Sequence, residues 1–107
     1  MEYALVFAMI GWQPTVLDYR GNLDLRFDPQ FATAISFDEA ERRMSKGNPP
    51  ILFALPGGPV VETTEQNAST LLSEWREAIR HRDKWRARRA MRLVLNGQLQ
   101  VTERSNQ

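Results

Sequence analysis

Apolar and polar positions along the chain follow two different periods, and the change between them marks out the elements. Tyr3–Ile10 (YALVFAMI) is apolar throughout, with the length and the Val, Phe and Ile content of a buried strand. Gly11-Trp12-Gln13-Pro14 follows as a turn or irregular link, because Pro14 lacks a donor and biases Gln13 towards extended geometry. Thr15–Tyr19 and Leu23–Phe27 then alternate. Leu17 and Tyr19 face one way and Val16 and Asp18 the other, while Leu23, Leu25 and Phe27 oppose Asp24 and Arg26. Joined by Arg20-Gly21-Asn22, whose Gly and Asn tolerate positive φ, they predict an antiparallel hairpin with one apolar and one solvated face.

Asp28-Pro29 ends that strand, and the period lengthens. Ser36 and Glu39 form an S-x-x-E capping box ahead of a helix Phe37–Ser45, which places Phe37, Ala40 and Met44 on one face. Gly47-Asn48 and Pro49-Pro50 stop it. Ile51–Leu55 is a second apolar run, read as a short strand buried on both faces, and Pro56-Gly57-Gly58-Pro59 as a tight connection. Thr63 with Gln66 offers another capping box. It opens a long helix whose stripe runs through Ala68, Leu71, Leu72, Trp75, Ala78 and Ile79. Beyond Ile79 arginines replace apolar residues, so the helix would project from the body. Asn96-Gly97 reads either as a hairpin turn between Leu93–Leu95 and Leu99–Val101 or as the stop of a helix ending at Leu95. Helix propensity over Ala87–Leu95 favours the stop.

The expected architecture is α+β in the order β-β-β-α-β-α. A small, mainly antiparallel sheet is packed by two helices, the second long and basic. One domain covers residues 1–104, with 105–107 as a frayed tail. Its core would draw on Leu5, Phe7, Leu17, Leu25, Phe37, Leu52, Leu72 and Trp75.

Composition narrows the function classes. With 107 residues there is room for one small core, and 42% apolar with 25% charged residues excludes wholesale disorder and a membrane-embedded chain. The absence of cysteine excludes disulfides, thiolate metal sites and a cysteine nucleophile, and the single histidine, His81, excludes metal sites built on several histidines. Tyr3–Ile10 is far short of the roughly 20 residues that cross a bilayer, and Glu2 precedes it instead of a basic segment, so a cytoplasmic location is expected. No cofactor or metal, and no catalytic set, is expected: the glycine-rich 56–59 lacks the Lys-Ser/Thr of a phosphate loop.

The net charge of +1 conceals a division along the chain. Residues 1–75 carry ten acids and five bases, whereas residues 76–92 carry eight bases and two acids. Arg76, Arg80, Lys84, Arg88 and Arg92 recur at i+4, and Arg82, Arg86 and Arg89 add to them, with His81 and Trp85 as aromatic surface among the charges. Seven arginines to one lysine suit bidentate contacts to phosphate or carboxylate. This segment is a candidate surface for nucleic acid or an acidic protein, or else a solvated helix end that pairs with the acidic body. The acidic candidates are Asp18 and Asp24, on the solvated hairpin face, with Asp28, Asp38, Glu39 and Glu41. They could form a partner-binding face that imitates a phosphate backbone; their spacing selects neither a glycosidase pair nor a metal site.

Over residues 1–46 the N-terminal strand, the hairpin, Asp28-Pro29, Ala34, Phe37 and Asp38-Glu39-Ala40-Glu41 resemble short phage- and mobile-element-encoded proteins, anti-CRISPR proteins among them. In those, a small sheet leads into a helix with an A-x-x-F-x-x-x-x-A-like start, which Ala34, Phe37 and Ala40 approximate here. The resemblance implies a cysteine-poor, non-enzymatic binder with a charged face. The expected function is therefore a protein-binding inhibitor of a host nucleic-acid-processing complex such as a CRISPR effector. The alternative is a DNA- or RNA-binding accessory protein using residues 76–92. The sequence leaves open the partner's identity and a homodimer through a sheet edge or the long helix.

Overall fold

The computed structural model describes residues 3–22, 27–47, 49–55 and 60–97. Among these the chain forms an α+β fold with five strands and three helices. The strands are β1 (Ala4–Ile10), β2 (Gln13–Tyr19), β3 (Ala32–Ile35), β4 (Ile51–Ala54) and β5 (Val60–Thr63); the helices are α1 (Phe37–Gly47), α2 (Glu65–Arg80) and α3 (Lys84–Leu95). Two compact units divide them: Met1–Thr63 holds the sheet and α1, and Thr64–Gln107 holds α2 and α3.

In the first unit the strand order is β3-β2-β1-β4-β5. The β3–β2, β2–β1 and β4–β5 pairs are antiparallel and the β1–β4 pair is parallel, so the sheet is mainly antiparallel as expected. β3 and β4 consequently run in the same direction, and α1 is the crossover that carries the chain between them past β2 and β1.

The first hairpin differs from the expected one. β2 pairs with β1 through the two-residue turn Gly11-Trp12, and Gly11 takes a φ of +64°, which glycine adopts without a Cβ penalty. Pro14 does not interrupt it. Ile10 and Gln13 close the turn, so Pro14 and Met9 form the next, non-hydrogen-bonded pair. The missing N–H faces away from β1, on an edge that β3 reaches only from Val16 onward. The other edge of Val16–Tyr19, where the expected hairpin placed Leu23–Phe27, is taken by Ala32–Ile35. Leu23–Arg26 lie outside the described residues, and Phe27 is not in a strand.

Both faces of the central strands are covered. Ala4 to Ala8 are all buried, as are Val16 to Tyr19. The register puts Leu5, Phe7, Val16, Asp18, Ile51 and Phe53 on one face, where Phe7 and Phe53 meet edge to face with centroids 5.9 Å apart. Val6, Ala8, Leu17 and Tyr19 form the cluster on the other face, flanked by Phe27, Ala32, Leu52 and Ala54. The expected solvated face of β2 is thus corrected, since Asp18 is only 8% exposed. In β4 the expected burial of both faces holds only for Ile51 and Phe53; Leu52 and Ala54 are half-buried.

Ser36 caps α1, its Oγ accepting from Glu39 N at 3.0 Å. Ala40 and Met44 are buried and Phe37 half-buried, and the helix runs on to Gly47. β5 has no counterpart in the sequence reading. Thr63 ends that strand, and the α2 cap passes to Thr64, whose hydroxyl accepts from Asn67 N at 3.1 Å. Residues 56–59, expected as a tight connection, lie outside the described residues, as do Leu25 and the tail 105–107.

The second unit corrects the long basic helix. It is two helices, parted at His81-Arg82-Asp83. Arg82 adopts a φ of 55°, Asp83 N donates to Ala78 O at 2.8 Å, and Arg82 N to Ile79 O at 3.1 Å. This pair of bonds is a Schellman motif, with arginine where glycine is usual. Asp83 then caps α3, its carboxylate accepting from Arg86 N at 3.0 Å. α2 buries Ala68, Leu71, Leu72, Trp75 and Ala78, whereas Ile79 is 49% exposed and drops out of the expected stripe. α3 buries Ala87, Ala90, Met91 and Val94, an i, i+3, i+4, i+7 stripe. Asn96 ends α3 and Gly97 takes a φ of +72°, which is the helix-stop reading of Asn96-Gly97. Among the described residues no helix is long and apolar enough to cross a membrane.

Candidate functional site

The acidic candidates do not gather into one solvent-facing surface. Asp18 lies on the sheet face under α1, where its carboxylate accepts from Arg20 Nε at 3.1 Å and from Arg20 Nη2 at 3.2 Å. Arg43 on α1 donates to the same carboxylate. Burial works to raise the Asp18 pKa, but these two guanidiniums outweigh it and hold the carboxyl below its usual range. Glu39 accepts from Arg42 Nε at 3.0 Å and from Arg43 Nε at 2.6 Å. Arg42 and then Arg43 pull its pKa down to about 2. The Arg20 and Arg43 guanidiniums also lie over the Tyr3 ring, 5.4 and 5.1 Å from its centroid.

Asp28 is occupied too. Its carboxylate caps the 3₁₀ turn Pro29–Phe31, accepting from Gln30 N at 3.2 Å and Gln30 Nε2 at 3.1 Å, while its own N–H donates to Tyr19 Oη at 3.1 Å. Asp38 and Glu41 are exposed on α1, and Asp24 lies outside the described residues. Sequence reasoning did not single out Tyr3, Arg20, Arg42 or Arg43. The Glu39–Arg42 and Glu39–Arg43 spacings on the expected helix were a usable signal. The Arg43–Asp18 contact, across 25 positions of chain, left none.

The basic candidates separate into groups with different roles. The turn at 81–83 assigns Arg76 and Arg80 to α2, and Lys84, Arg88 and Arg92 to α3, so the i+4 ladder is not one continuous stripe. Arg80 donates to Glu77 at 2.9 Å, and His81 Nε2 is 3.5 Å from the same carboxylate oxygen. Arg80 lowers the Glu77 pKa accordingly. Arg86 turns back to Glu74 on α2 at 3.0 Å, a link between the two helices, and that bond raises its pKa further. Arg76 is half-buried, and Arg82 is exposed in the turn.

A further group lies on the outward side of α3. At 100° per residue, Trp85, Arg88, Arg89 and Arg92 stand opposite the buried Ala87, Ala90, Met91 and Val94. Trp85 is 65% exposed, Arg89 and Arg92 are exposed, and Arg88 is half-buried on the flank; Lys84 is exposed one position before Trp85. Between Trp85 and Arg92 the face extends about 10 Å along the helix axis. It combines forked donors that fit phosphate or carboxylate with an aromatic plane among them.

The first unit also carries a shallow apolar groove of about 390 Å³, lined by Ile10, Leu17, Phe27, Pro29, Ala32 and Ala34 among others. No titratable side chain lines it among the described residues.

Comparison with protein-family models, with curated proteins and with solved structures returns no match.

Proposed function

We propose that the chain is a non-enzymatic binding protein that docks the outward face of α3 on a polyanionic surface of a nucleic-acid-processing complex. One observation carries this reading. Trp85, Arg88, Arg89 and Arg92 share the side of α3 that turns away from its buried stripe, and Trp85 is 65% exposed there. A large indole kept among guanidiniums on a helix surface gains its burial from a partner. The anti-CRISPR-like resemblance of residues 1–46 suggests what such docking does: it occupies a surface of a host complex and inhibits it. The carboxylates contribute less to this than charge counting suggested, because Asp18, Asp28 and Glu39 are engaged inside the first unit.

The alternative, an accessory protein that binds DNA or RNA without a protein partner, draws on the same face. Affinity capture of an assembled nucleic-acid-processing complex, compared with capture of its nucleic acid alone, separates the two. Capture that favours the assembled complex and is abolished in Arg88→Ala/Arg89→Ala/Arg92→Ala supports the docking reading. Equal capture of the free nucleic acid supports the accessory reading. Wild-type behaviour of the triple variant on every partner overturns both.

A further inference from the structure

We infer that the polyanion on the α3 face is single-stranded nucleic acid, with an unpaired base stacked on Trp85 and adjoining phosphates held by Arg89 and Arg92. This rests on the reading of that face as a polyanion-docking surface, and it goes further by naming the ligand.

The arrangement of the face selects among polyanions. Viewed down α3 from Trp85, Arg92 lies about 20° away, Arg89 about 40° to the same side as the chain turns on, and Arg88 about 60° to the other. The indole is therefore bordered by guanidiniums on both flanks. A ligand that uses all of it must offer a flat apolar surface next to negative charge. An unpaired nucleotide offers that combination, since every base has a π-face and its phosphate is one bond system away. A duplex shields its base faces in the stack and would meet the arginines through phosphate alone, leaving the indole in water. An acidic peptide supplies carboxylates for the same arginines but no obligatory ring for Trp85.

The packing of the second unit supports a fixed platform. Trp75 is the buried tryptophan of this unit, fully enclosed and bonded to the Ala87 carbonyl, which ties α3 to α2. Arg86, the arginine next to Trp85 in sequence, is held back on Glu74 at 3.0 Å and lies off the face. The capping Asp83 fixes where α3 begins, which sets Trp85 in its first turn. Stacking is tolerant of base identity, so the expected preference is for strandedness and not for sequence.

The test is fluorescence anisotropy of the full chain at low salt with four labelled or competing probes: an oligo-dT, a blunt duplex of equal length, heparin and poly-glutamate. Trp85→Ala, Trp85→Phe and Arg89→Ala/Arg92→Ala are compared with wild type, after circular dichroism shows that each is folded. Oligo-dT should bind more tightly than duplex. Trp85→Ala should weaken oligo-dT binding about tenfold or more, the weight of one stacked base, with little change on heparin. Trp85→Phe should keep most of the affinity. The double arginine variant should weaken every polyanion and flatten the log–log salt slope on oligo-dT by about 0.7 for each phosphate it no longer neutralises. Equal binding of single strand and duplex, with no effect of Trp85→Ala, overturns this inference and leaves polyanion docking intact. Tighter binding of poly-glutamate than of either nucleic acid does the same and points to an acidic protein. No binding to any of the four probes overturns the docking reading itself.

Discussion

The indole Nε1 of Trp75 donates to the backbone carbonyl of Ala87 at 3.0 Å, from inside α2 to the first full turn of α3. Trp75 is wholly buried and Ala87 is 1% exposed, so the bond is shielded from water. It lies beside the Arg86–Glu74 pair, and together they set which side of α3 turns outward. The candidate binding face depends on that rotation, although neither Trp75 nor Ala87 belongs to it.

Removing the indole donor should therefore weaken the unit in a graded way. Trp75→Phe keeps most of the ring but not the bond, and is expected to cost about 1–2 kcal/mol. Trp75→Ala adds a large cavity and is expected to cost about 3–5 kcal/mol. Urea unfolding followed by far-ultraviolet circular dichroism gives both values, and equal costs for the two variants would contradict the role of packing.

Arg82 sits at the C′ position of α2 with a φ of 55°. A side chain there strains a left-handed backbone that glycine adopts freely. Arg82→Gly should stabilise the protein by about 0.5–1 kcal/mol, and Arg82→Val should destabilise it, because a branched Cβ fits that region worst. Unfolding midpoints in guanidinium chloride should move in opposite directions for the two.

Gly21 is a position of close approach. Its φ is not positive, yet a Cβ built there would run into the hydroxyl and ring of Tyr19. Tyr19 is 3% exposed, packs against Phe27 at 5.0 Å and accepts from Asp28 N, so it has little freedom to retreat. Gly21→Ala is expected to cost about 1–3 kcal/mol by displacing that ring. Thermal melting of the variant checks this, and a shift of the tyrosine near-ultraviolet signal would identify Tyr19 as the residue displaced.

The Asp18–Arg43–Glu39 network makes the first unit acid-sensitive. Both carboxyls have folded-state pKa values below their ordinary ones, and Glu39 is lowered from 4.5 to about 2. A depressed carboxyl pKa means that the unfolded chain takes up protons first as pH falls. The stabilisation is complete above about pH 5 and is lost progressively as pH drops from about 4.5 towards 2. Melting temperature should be flat from pH 7 to 5 and fall below that. In Glu39→Gln the fall over the same window should be shallower.

Much of the local structure was legible because it depends on neighbours in sequence. The Ser36 cap on Glu39, the buried Ala40 and Met44, the β1 run and the helix stop at Gly97 each follow from residues within a few positions of one another. The charged segment 76–92 was visible for the same reason, and Trp85, Arg88, Arg89 and Arg92 were all named from it. β3 and β5 left almost no trace, because four-residue strands gain their order from the strands beside them and not from their own pattern. The break at Arg82 was missed because its signal is an arginine in a backbone conformation that sequence normally marks with glycine.

By itself, then, the sequence determined the α+β class, the caps and faces of α1, and the set of charged residues from which a binding surface must be drawn. Only tertiary structure decided how those charges are divided between internal pairing and the surface. Arg43, which local spacing already places beside Glu39, is brought by the α1 crossover to Asp18 across 25 positions, so that one guanidinium joins the two carboxylates. Arg86 is turned inward to Glu74 while Trp85 and Arg89 face out, and that sorting follows from the Schellman turn and from the rotation that α3 takes to bury Ala87, Ala90, Met91 and Val94. Charge is a property of the residue, but its partner is a property of the fold, and burying an apolar stripe outweighs any preference the charges have for where they point.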